Sequence, residues 1–70
     1  MRLLVVVEAT HTGYSAYSPD LPGCVAAGST RDEVERLIRE AIEFHVDELR
    51  TTGQEPPVPR AYATVVDVPS

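Results

Sequence analysis

Seventy residues allow one small domain, which buries only ~60% of the surface its unfolded chain exposes and so has a marginal core unless something reinforces it. A single cysteine, Cys24, excludes an internal disulfide, and no Cys/His group of zinc spacing replaces it, which leaves oligomerisation or an unusually consistent fold as the reinforcement. The net charge of −5, with six scattered arginines as the only strong bases, excludes the cation cluster that direct nucleic-acid binding needs and suits contact with a basic protein.

Residues 2–9 form a continuous apolar, β-branched run, the pattern of a strand buried on both faces. The run is far short of the ~20 apolar residues of a membrane helix and too short for a signal-peptide core, so the expected location is the cytoplasm. His11-Thr12-Gly13 supplies turn chemistry, with Gly13 able to take a positive φ, and Tyr14–Ser18 returns as a second, antiparallel strand. The two prolines of Pro19–Gly23 exclude a continuing ladder, and the small residues Cys24–Gly28 form a short third strand at an edge.

Thr30 with Glu33 three residues later is a capping box, and Ser29 is a competing cap. Val34, Leu37, Ile38, Ala41, Ile42 and Leu49 then recur on one helical stripe, with Asp32, Glu33 and Glu35 in the first turns. Gly53 terminates the helix and Pro56, Pro57 and Pro59 forbid its continuation. Tyr62–Val68 alternates β-formers and is expected to be a fourth strand.

The predicted fold is α+β, in the order β-β-β-α-β: a four-stranded, mostly antiparallel sheet of order 3-2-1-4 with one helix on one face, the last strand returning parallel to the first. Residues 1–70 are read as one domain without internal repeats. Because side chains alternate along a strand, Leu3, Val5 and Val7 face one way and Leu4 and Val6 the other, while Val65 and Val66 divide likewise. Leu4, Val6 and Val65 are therefore expected on the face without a helix. Leaving such aliphatics in water forgoes roughly 1.5–3 kcal/mol each, so that face is expected to be covered by a second copy or another protein, the alternative being a scatter of tolerated exposed aliphatics.

Catalytic chemistry finds little footing. Two-metal phosphodiester cleavage needs several converging carboxylates, and Glu8 and Asp20 lack evident partners on the sheet. Cys24 has no base placed beside it by the pattern and reads as a small buried thiol; His45 falls within the apolar stripe and reads as a core histidine. Two isolated histidines make no metal site, and no cofactor is expected. The candidate binding element is the stiff Pro19–Gly23 loop, which presents Asp20, Leu21 and Pro22 at small ordering cost between Tyr14 and Tyr17. Its structural alternative is a turn that routes the chain.

The stretch Tyr14-x-x-x-x-Pro-Asp-Leu-Pro-Gly-Cys24, followed by Gly28-Ser-Thr30 and an acidic amphipathic helix, resembles the HicB family of antitoxin-like proteins. The likeness extends through Glu40–Leu49 and the Gly53–Pro59 tail to nearly the whole chain. It implies a partial ribonuclease-H-like fold and a non-catalytic role: pairing with a small basic mRNA-cleaving toxin and blocking it. Complete antitoxins of this kind usually carry a C-terminal DNA-binding segment, and no such domain is expected in residues 1–70. The alternatives are a self-associating module of unknown ligand without a toxin, and a degenerate nuclease.

Overall fold

The helix α1, Arg31–Thr51, is specified at both ends by side-chain and backbone chemistry. Thr30 is the N-cap: its Oγ1 accepts the Glu33 N–H at 3.1 Å, while Glu33 Oε1 reaches back to accept the Ser29 N–H at 3.2 Å. The return contact lies one residue earlier than in the standard capping box, so Ser29 and Thr30 share the start. At the other end the Gly53 N–H donates to Arg50 O and the Gln54 N–H to Leu49 O. With Gly53 at φ 73°, these two bonds form a Schellman motif.

The computed structural model describes residues 1–69. Strands β1 (Val6–Ala9), β2 (Tyr14–Tyr17) and β3 (Val25–Gly28) form an antiparallel sheet of order β1-β2-β3, and the fold is α+β. Val7, Ala16 and Ala26 oppose one another across the sheet, as do Ala9, Tyr14 and Gly28. Directly opposed residues share a face. The first row faces α1, where Ala16, Leu21, Cys24, Val34, Ile38 and Val46 make the buried core.

Two glycines let this core close at the hairpin end. A Cβ on Gly13 would strike the Gly28 carbonyl oxygen, and one on Gly28 would sit 2.8 Å from the Val34 backbone nitrogen. Gly13 is thus needed for close approach rather than for the positive φ open to it, which Gly23 and Gly53 adopt instead.

The expected fourth strand and the order 3-2-1-4 are not what the chain adopts: among the described residues, 61–69 form no strand. Asp20 holds the start of this tail at the β2–β3 loop, and the tail runs on into solvent. Tyr62, Val65, Val66 and Val68 are between 74% and 90% exposed. The radius of gyration, 14.0 Å, exceeds the ~11 Å of a compact chain of this length, and the molecule extends over 50 Å. Strand β1 is also shorter than expected, because β2 stops at Tyr17. Beyond that point Ser18 Oγ donates to Leu4 O at 2.9 Å in place of a ladder bond.

Candidate functional site

Three surfaces are built from these elements. The first is the sheet face away from the helix. Val6, Tyr17 and Val25 oppose one another across all three strands, flanked by the row Glu8, Ser15 and Ala27. Tyr17 and Val25 are exposed, while Val6 and Leu4 are half-buried. The row is therefore apolar in its centre and mixed at its edge. Val25 was not singled out from the sequence, although its alternation with Ala26 is the signal that finds it.

The second surface is the Pro19–Gly23 loop, two successive tight turns closed by the Leu21 N–H to Ser18 O and the Cys24 N–H to Leu21 O. Gly23, at φ 83°, makes the second reversal without a steric penalty. The structure separates the residues proposed for this loop. Leu21 is buried in the core rather than presented, because the first turn folds its side chain inward. Asp20 is half-buried and its carboxylate is occupied: it accepts the Arg60 N–H at 3.1 Å and the Ala61 N–H at 3.0 Å. Tyr14 stands at the far end of β2 and packs against the core, whereas Tyr17 adjoins the loop and faces the opposite side of the sheet. Pro22 remains exposed. Of the five, the loop end keeps Tyr17 and Pro22 on the surface.

The third surface is a groove of about 700 Å³ between α1 and the free edge of the N-terminal segment. Its origin is a mismatch of lengths. Twenty-one helical residues span about 31 Å, whereas a four-residue strand spans about 13 Å. The second half of α1 therefore overhangs residues 1–5 instead of a paired sheet. Leu3, Val5 and Val7 line one side, and Ile38, Ile42 and Val46 the other. Glu35, Arg39, Glu43, Asp47 and Arg50 form its rim. His45, expected within the core, is half-buried in this overhanging half.

The charged side chains of α1 pair locally at the surface. Arg36 and Glu40 pair at 3.5 Å and Arg50 and Asp47 at 3.8 Å, all well exposed, which contributes little to stability. Burial pushes the Cys24 thiol pKa up, which disfavours the nucleophilic thiolate. Among the described residues, no three His, Cys, Asp or Glu side chains converge on a point that could hold a metal ion. Glu8 is exposed at the end of β1, far along the chain from the tail-bound Asp20. Among the described residues, no helix is long and apolar enough to cross a membrane.

Comparison with known proteins gives these surfaces a context. The chain is 41% identical over 49 residues to a UPF0150 protein of Helicobacter pylori, covering 70% of this chain and 68% of that protein. It is 36% identical over 53 residues to an uncharacterized 14.9 kDa protein from the rep-hol intergenic region of Haemophilus phage HP1, covering 76% of this chain. The match spans only 40% of the phage protein's length. The family model described as the HicB-like antitoxin of bacterial toxin-antitoxin systems matches residues 3–70. With that model spanning the sheet, the Pro-rich loop, the helix and the tail alike, the chain belongs to the HicB-like antitoxin family.

Proposed function

We propose that this protein is the neutralising member of a toxin-antitoxin pair, acting in the cytoplasm by binding a small basic mRNA-cleaving toxin and masking it without catalysis. The observation that carries this reading is the family match over residues 3–70. The charge of −5 supports it, since an acidic surface attracts a cationic partner and speeds encounter. The open sheet face is the contact surface we assign to the toxin, with Tyr17 at its centre, Leu4 and Val6 beside it and Pro22 at the loop end. An exposed tyrosine within an apolar row can anchor such an interface at small entropic cost. Tyr14, Asp20 and Leu21 act from behind, holding the strand and loop in shape. Self-association completes the reading, because the groove and the apolar tail, with Val65 90% exposed, leave more greasy surface than one small domain sustains alone.

The test is a binding and inhibition assay with the product of the adjacent reading frame. That product is expected to be a small basic protein, to co-purify with this chain, and to lose its RNA-cleaving activity when the chain is added in stoichiometric amount. A neighbouring gene that encodes no such protein, or RNA cleavage that continues unchanged within a formed complex, overturns the proposal.

A further inference from the structure

We infer that two copies of this chain exchange their C-terminal tails, residues 62–68 of each adding as a fourth strand to the free edge of the other's β1 segment and filling the groove beneath its helix. This rests on the self-association proposed above and specifies its geometry. Three independent features meet in it.

The groove needs a strand. Along its floor runs the N-terminal segment that leads into the free edge of β1, and its apolar walls, Leu3, Val5 and Val7 against Ile38, Ile42 and Val46, border about 700 Å³. An edge of this kind is a template for another extended segment.

The tail has the composition and length to serve. Tyr62–Val68 contains five residues that are β-branched or aromatic, with Ala63 and Asp67 as the exceptions. Seven extended residues reach roughly 23 Å, the same as the Met1–Val7 segment that they would flank. Alternation puts Tyr62, Thr64, Val66 and Val68 on one side, directed into the groove. Val65 then falls on the other side, extending the open-face row of Leu4 and Val6.

The tail's own position favours exchange. Asp20 fixes Arg60 and Ala61 at the loop joining β2 and β3, whereas the groove lies beyond β1, at the opposite edge of the sheet. At ~4.8 Å per strand the crossing is roughly 12 Å, which would use about four of the seven residues before pairing began. A second copy related by a two-fold axis presents its groove to the whole tail, and the contact is reciprocal and closed.

A mixture of carbon-13-labelled and unlabelled full-length chains, unfolded and refolded together, tests the exchange. Isotope-filtered nuclear Overhauser spectra are expected to show contacts from the Val66 and Val68 methyl groups of one copy to Ile42 and Val46 of the other. Light scattering should give twice the chain mass at micromolar concentration. The double variant Val66→Asp, Val68→Asp is expected to halve that mass. A dimer whose tail contacts are all intramolecular, or whose tails remain mobile in solvent, overturns the exchange but keeps self-association. A monomer at every concentration overturns both.

Discussion

Asp20 receives the backbone N–H of Ala61 on both of its carboxylate oxygens, at 3.0 and 3.3 Å, across forty-one positions of sequence. With the adjacent Arg60 N–H also bound, this one side chain decides where the tail leaves the domain. Replacing it frees the tail while leaving the helix and the three strands in place. Hydrogen bonds to a half-buried carboxylate, discounted for solvent, are together worth ~1 kcal/mol here, so Asp20→Ala is expected to raise the open population about fivefold. Limited trypsin digestion checks this through cleavage after Arg60. Equal cleavage rates in the variant and the parent would falsify the clamp.

Gly28→Ala should be among the most damaging single changes. The new Cβ would lie 2.8 Å from Val34 N and 3.1 Å from Val34 Cα, both backbone atoms at the start of the helix that cannot swing aside. A loss of ~1–3 kcal/mol is expected, lowering Tm by ~4–8 °C for each kcal/mol. Gly23→Ala meets nothing within 4 Å and is expected to lose only the ~1 kcal/mol of its positive φ. Thermal melts of the two variants should therefore separate clearly, and equal melting temperatures would refute the packing argument.

Thr30→Ala removes the acceptor for the Glu33 N–H and is expected to cost ~1 kcal/mol, with Thr30→Ser nearly neutral. Urea unfolding followed by far-UV circular dichroism gives the difference. Should Thr30→Ser cost as much as Thr30→Ala, the hydroxyl is not what secures the helix start.

Burial raises the Cys24 thiol above its ordinary pKa of 9.0, so the folded chain holds this proton more tightly than the unfolded one. The associated stability is full below about pH 9 and is lost as pH rises through the folded value. Stability is expected to decline on the alkaline side, and Cys24→Ala to flatten that decline. At neutral pH a thiol reagent should modify the folded chain far more slowly than the denatured one. Matching rates would contradict the burial.

Tyr17 is 41% exposed on the open face, so Tyr17→Ala should change unfolding free energy by no more than ~0.5 kcal/mol. Its effect belongs to binding. On the proposed toxin contact, loss of a tyrosine anchor of ~2 kcal/mol is expected to weaken affinity about thirtyfold. Urea unfolding gives the first quantity and calorimetric titration with the partner the second. Unchanged affinity would move the toxin contact off this face.

The helix was legible from sequence because its ends are local: Thr30, Glu33 and Gly53 act within a few residues of the bonds they form. The hairpins were legible for the same reason. The tail was not, since Tyr62–Val68 carries the pattern of a strand but a strand also needs an edge to pair with, and the pattern does not say where its edge lies. From sequence Asp20 reads as a presented group, because its partners, Arg60 and Ala61, are distant along the chain and are backbone amides, which leave no trace in residue type. Leu21 was placed on the surface by the prolines around it, whereas the two tight turns direct it into the core.

The side-chain-free meeting of Gly13, Gly28 and the Val34 backbone gives the molecule two unlike poles. One is locked where hairpin, strand and helix start interpenetrate, and has no room for further atoms. The other, with the groove mouth and the departing tail, is where sequence can vary, partners can be gained and chain can be appended without disturbing the lock. Divergence between relatives should therefore concentrate around the groove mouth, while the glycine pole and the Pro19–Cys24 loop that carries the family motif stay alike.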